Sequence, residues 1–202
     1  MSGTVGILAY GSLLENPGAE IEKAMVHEVN GLKTPFSVEF ARSSTKRGGA
    51  PTLVPIDSGG EVNARIFVVN LTEAEAANCL YRRERNEVGN KEIVYNEPKK
   101  ITTNTVQVKR LADFGGVGTV LYTHIAANID PVTAEMLAEL AICSAKAQHD
   151  DRDGITYLID AMRNGVETPL TQAYAAEIMR QMEVGSLEGA LAKARMLFGL
   201  KR

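Results

Sequence analysis

The chain has 202 residues, 45% of them hydrophobic and 23% charged, with a net charge of −3 at pH 7. That balance fits a globular protein with one good core and excludes collagen-like, low-complexity and disordered classes. The slight acidity offers no basic footprint for nucleic acid or an anionic membrane, and no apolar run reaches the length of a membrane helix. The N-terminus also lacks the basic-then-apolar layout of a secretory signal, so a cytoplasmic location is the expectation.

From Thr4 to about Ile125 the texture is strand-rich. Val5 to Tyr10 is a short, mostly apolar run of the kind a buried strand shows. Gly11 interrupts it where the chain must turn, and Tyr10-Gly11-Ser12-Leu13 is a segment whose successive backbone N–H groups can receive a carboxylate or an oxyanion. A short helix is expected near Ala19 to Val26. Phe36, Val38 and Phe40 alternate, Thr52 to Ile56 is apolar and bounded by prolines, and Val62, Ala64, Ile66 and Val68 alternate again, which predicts three strands.

Thr72-Glu73-Ala74-Glu75 has the form of a capping box, so a helix should start there and run to about Arg85. Ala77, Leu80, Tyr81 and Glu84 then share one stripe, with Arg82, Arg83 and Arg85 off it. A glutamate centred on an apolar face is expected to lose solvation, a condition in which a carboxyl group can both take and give a proton near neutral pH. The same position also suits an ion pair with a neighbouring arginine that closes the helix.

Val106, Val108 and Thr119 to Ile125 predict later strands, with Gly115-Gly116-Val117-Gly118 as a hairpin turn rather than a phosphate loop. From Asp130 the pattern becomes helical. Asp130-Pro131 and Thr168-Pro169 each read as an N-cap followed by proline at the first helical position, Asn164-Gly165 and Gly199 read as helix ends, and Ser186 reads as the cap of the last helix. Leu137, Leu140, Ala141 and Ser144 give one narrow apolar stripe, and Leu191, Ala194, Leu197 and Phe198 another.

Cys79 and Cys143 stand apart and read as reduced, partly buried thiols; Cys79 falls off the Glu84 stripe and so is no candidate nucleophile. His27, His124 and His149 are scattered, and His149-Asp150-Asp151-Arg152-Asp153 reads as a solvated loop rather than a cation site. No residues have metal-ligand spacing, so neither a metal nor a cofactor is expected.

Together, Tyr10-Gly11-Ser12-Leu13 closing a strand and Arg83-Glu84 closing a later helix resemble the gamma-glutamylcyclotransferase-like superfamily, closest to its ChaC-like and bacterial members. Asn16-Pro17-Gly18, the stretch Phe40-Ala41-Arg42-Ser43-Ser44 with Arg47, Thr52-Leu53-Val54-Pro55 and Gly59-Gly60 follow in the family's order. The resemblance covers roughly the first 125 residues. A further likeness lies in Gly154-Ile155-Thr156-Tyr157-Leu158, where the family commonly places a tyrosine near the pocket; by its neighbours Leu158 and Met162, Tyr157 also reads as core. Where ChaC-like members often continue with a Lys-Gly-Gly-Tyr turn, this chain has Arg85-Asn86-Glu87-Val88-Gly89-Asn90, which points away from glutathione itself.

The resemblance implies an α+β fold: a small mixed β-barrel over residues 1–128 that carries the catalytic helix, and a helical extension over 129–202, in one domain. The extension would pack outside the barrel or form the surface of a homo-oligomer. It also implies a cofactor-free enzyme that releases 5-oxoproline from a small-molecule γ-glutamyl amide, with Glu84 as general acid and base. The Tyr10–Leu13 loop would hold the α-carboxylate or the oxyanion, with Arg42 or Arg47 on a distal carboxylate and Tyr157 at the pocket. Two other readings stay open: a non-catalytic module that binds a γ-glutamyl metabolite or a protein partner, and the same chemistry on a γ-glutamylated amine.

Overall fold

A computed structural model describes residues 5–147 and 152–197. Thr4, His149, Asp150, Asp151, Phe198 and Gly199 lie outside the described residues. The strands are β1 (Val5–Ala9), β2 (Met25–Lys33), β3 (Val38–Ser44), β4 (Ala50–Pro55), β5 (Asn63–Val69), β6 (Gln107–Phe114) and β7 (Val117–His124). The helices are α1 (Ala19–Ala24), α2 (Glu73–Arg85), α3 (Ala134–Ala147), α4 (Gly154–Arg163), α5 (Thr171–Gln181) and α6 (Leu187–Leu197). The fold is α+β. No described helix is long and apolar enough to cross a membrane.

Two compact units form, each from two stretches of chain: Met1–Pro35 with Asn63–Ala126, and Phe36–Val62 with Ala127–Arg202. The segment 36–62, expected in the barrel, belongs instead with the C-terminal helices.

The first unit is built on a five-stranded mixed sheet in the order β2-β5-β1-β7-β6. Every residue of β1 is buried, as its apolar run predicts, and it lies antiparallel to β5 and parallel to β7. The sheet does not close into the barrel that the resemblance implies. It ends at β2 and β6, while β3 and β4 form a separate two-stranded sheet. β2 is mostly exposed and slips register twice against β5, so it makes an irregular edge. That strand was not foreseen, because Met25–Lys33 is polar and unpatterned where a helix was expected to end. One face of the sheet packs α2: Ile7, Ala9, Phe67, Val69 and Leu121 meet Ala76, Ala77 and Leu80 in one buried cluster. The β6–β7 hairpin turns at Gly115 and Gly116, as predicted, with φ of 60° and 78°, the left-handed pair that a two-residue turn between twisted strands demands.

In the second unit the β3–β4 sheet carries buried Val38, Phe40, Leu53 and Val54. Glu39 is also buried there; its carboxylate accepts from the Phe40 and Leu170 amides and from the Thr168 hydroxyl, which ties β3 to the turn before α5. Neither proline marks the first helical position it was expected to mark. α3 starts at Ala134, with the Thr133 hydroxyl accepting from Met136 N–H, and α5 starts at Thr171 after a turn in which Thr168 and Thr171 bond each other. Asn164-Gly165 does end α4, and Ser186 does cap α6 by accepting from Gly189 N–H at 3.0 Å.

Candidate functional site

The Thr72 capping box forms as the sequence predicts: Thr72 accepts from Glu75 N–H, and Glu75 accepts from Thr72 N–H at 2.9 Å. This fixes the phase of α2. The helix runs to Arg85 and stops at Asn86, whose φ of 57° is left-handed. Its end therefore presents Arg83 and Glu84 beside the segment that follows β1.

That segment is a 3-10 turn over Gly11–Leu13, possible because Gly11 takes a φ of 55°. The hydrogen bonds of the turn begin with Leu13 N–H to Tyr10 C=O at 3.3 Å and Leu14 N–H to Gly11 C=O at 3.1 Å. The Gly11 and Ser12 amides precede them, so the turn does not consume these two donors. Leu13, expected to offer its amide to a ligand, spends it inside the turn. The Tyr10 hydroxyl reaches the Thr123 carbonyl of β7 at 3.4 Å, which fixes the loop to the sheet.

Arg83 joins the two motifs. Its Nη1 donates to Glu84 Oε1 at 2.7 Å, its Nη2 to Ser12 Oγ at 3.2 Å, and its Nε and Nη2 to the Asn16 carbonyl at 3.0 and 2.9 Å. The Glu84 side chain is 24% exposed. The carboxylate is therefore ion-paired at the rim of the apolar stripe rather than sunk within it, and the stripe ends at Leu80 and the half-buried Tyr81. In this geometry the group can exchange a proton at Oε2 while Oε1 stays bonded.

No family model, curated protein or solved structure matches the chain.

Arg42, Arg47 and Tyr157 all belong to the second unit. Tyr157 is on α4 and 7% exposed; it packs edge-on to Phe40, and its hydroxyl accepts from Leu53 N–H at 3.3 Å. The Arg47 guanidinium lies 5.0 Å from the centre of its ring, a cation–π arrangement that unites two of the candidate residues. Arg42 is on β3, opposite Thr52, whose hydroxyl donates to the Arg42 carbonyl. Burial pulls the Arg42 guanidinium below its usual pKa.

Sequence reasoning missed Arg82. Expected off the buried stripe, it is 4% exposed and grips Glu20 of α1 through Nε and Nη2 at 2.8 and 2.9 Å, while Nη1 donates to the Ile93 carbonyl. Lys91 and the Gly89 amide also donate to Glu20. These bonds hold α1, α2 and the chain after Asn86 together beneath the candidate site. Nothing in local spacing links Glu20 to Arg82, which stand 62 positions apart. Cys79 is buried and donates nothing to the site; burial pushes its thiol pKa up. Cys143, expected partly buried, is exposed. Among the described residues no cluster of His, Cys, Asp and Glu is arranged to hold a metal ion.

Proposed function

We propose that the chain is a gamma-glutamylcyclotransferase-like enzyme that converts a small γ-glutamyl amide to 5-oxoproline and a free amine, acting on a cytoplasmic pool. The observation that carries this reading is the meeting of its two signature motifs: Ser12 of the Tyr10–Leu13 loop and Glu84 at the end of α2 are bonded to the same guanidinium. In the reaction the substrate's α-amine attacks its own γ-carbonyl. A five-membered ring forms, the amide C–N bond breaks, and the departing nitrogen takes up a proton. Glu84 accepts a proton from the α-ammonium and returns it to the leaving nitrogen, and the Gly11 and Ser12 amides receive the α-carboxylate or the developing oxyanion.

The test is incubation with a panel of γ-glutamyl dipeptides, γ-glutamyl amines and glutathione, with 5-oxoproline as the measured product. Glu84→Gln should lower turnover by roughly 100-fold or more while ligand binding survives, because the amide keeps the shape and cannot exchange protons. A variant that retains most activity removes Glu84 from the mechanism. The ion pair of Glu84 with Arg83 favours a second reading, a module that binds a γ-glutamyl compound without turning it over. Binding to the wild-type protein with no 5-oxoproline formed would select that reading.

A further inference from the structure

Resting on the cyclotransferase reading, we propose that Arg83 is a positioning residue: its guanidinium clamps the carboxylate of Glu84 to the Gly11–Asn16 loop and so sets which oxygen faces the substrate. Adjacent residues on a helix point about 100° apart and do not pair by default. The contact between Arg83 and Glu84 therefore needs an outside anchor, and the Gly11–Asn16 loop supplies one. Nε and Nη2 both reach the Asn16 carbonyl, and Nη2 also reaches Ser12 Oγ, which leaves Nη1 aimed at Glu84 Oε1. Among the described residues Arg83 alone donates to that carboxylate, so Oε1 is held and Oε2 is left for proton exchange.

The stem of Arg83 is seated as well as its head. It packs beside Gly18, whose φ of 85° favours glycine; a Cβ there would stand 3.4 Å from Arg83 Cγ, an ordinary contact, and 3.2 Å from Val88. The side chain of Arg83 is only 15% exposed. A lysine would keep the charge, but its single nitrogen cannot reproduce four bonds that leave from three separate nitrogens of the guanidinium fork.

The test uses whichever γ-glutamyl substrate of the panel the wild-type protein turns over. Arg83→Met keeps the apolar stem and should lower kcat by roughly 100-fold, the scale of an approximately 1 Å misplacement of a reacting group, with KM shifted by less than about threefold. Arg83→Lys should stay nearly as slow, although it restores the charge beside Glu84. In Arg83→Ala, added guanidinium ion should recover part of kcat without altering the melting temperature. Ser12→Ala, which removes one anchor without touching the helix, should cost a smaller part of kcat, and little more when combined with Arg83→Met; it keeps the test decisive if Arg83→Met does not fold. An active wild type whose Arg83→Met variant retains kcat, or whose Arg83→Lys variant is fully active, overturns the clamp and leaves the cyclotransferase reading standing. A wild type that forms no 5-oxoproline from any member of the panel overturns that reading and the clamp with it.

Discussion

Gly11 turns the chain out of β1 with a left-handed backbone, and the turn that follows leaves the Gly11 and Ser12 amides outside its own hydrogen bonds. A β-branched side chain resists that φ strongly, whereas loss of the Ser12 hydroxyl leaves the backbone where it is. Gly11→Val should accordingly weaken binding of a γ-glutamyl ligand far more than Ser12→Ala, as measured by calorimetric titration. A covalent adduct trapped on Ser12 would replace this scheme with a serine-nucleophile mechanism. Glu20 carries a different kind of prediction. Bonds from Arg82 above all, then from Lys91 and the Gly89 amide, hold its carboxyl at about 2, below the usual 4.5, against an opposing effect of burial. A lowered folded pKa means that the contribution to stability is complete above the ordinary carboxylate value and drains away as pH falls toward 2. Glu20→Gln should therefore destabilise the protein at neutral pH by about 3 kcal/mol, the low end for breaking a buried ion pair because Glu20 keeps some access to water. Denaturant curves for variant and parent should converge as the pH is lowered through this range; parallel curves would mean that Glu20 does not titrate as described.

Among the elements, α2 is legible because its start is written locally in the capping box at Thr72 and its apolar stripe carries on from there; the structure adds the left-handed stop at Asn86. Thr72→Ala should lower stability by about 1 kcal/mol, seen as a reduced urea midpoint with an unchanged slope. β1, β5 and the β6–β7 hairpin were legible for the same reason, since apolar runs and a Gly-Gly turn act over a few residues. β2 was not: its exposed, bulged strand is held by the edge of β5, and a strand made by its neighbour carries no pattern of its own. The starts of α3 and α5 fall later than expected because an acceptor followed by proline also suits an ordinary turn; Thr133 caps α3, whereas α5 follows Leu170 with no side-chain cap. In the candidate site the two motifs were legible as segments. Their junction through Arg83 was not, because the decisive bonds run to Ser12 and Asn16, 71 and 67 positions away.

At the scale of the whole molecule, the segment that leaves the first unit after Pro35 returns to it at Asn63, so each unit depends on two separate pieces of chain. Truncation after residue 128 keeps β3 and β4 but removes the helices that complete their unit. Phe40 loses its aromatic contacts with Tyr157 and Tyr174, and Glu39 loses the Thr168 hydroxyl and the Leu170 amide. The truncated chain should bind a hydrophobic dye and expose 36–62 to protease, while the intact protein resists both. Cooperative unfolding of the truncated chain with that segment protected would show that the hairpin needs no C-terminal partner. The pairing of β1 adds a constraint of timing. This strand is made before its partners, yet Val5 must find Val69 on one side and Thr119 on the other, and the Tyr10 hydroxyl closes onto a carbonyl 113 positions later. Such distant closures come late, after local hairpins have formed. The loop that holds Gly11 and Ser12 can settle only once β7 has been made, so a chain interrupted before Val117 carries the motif without the candidate site.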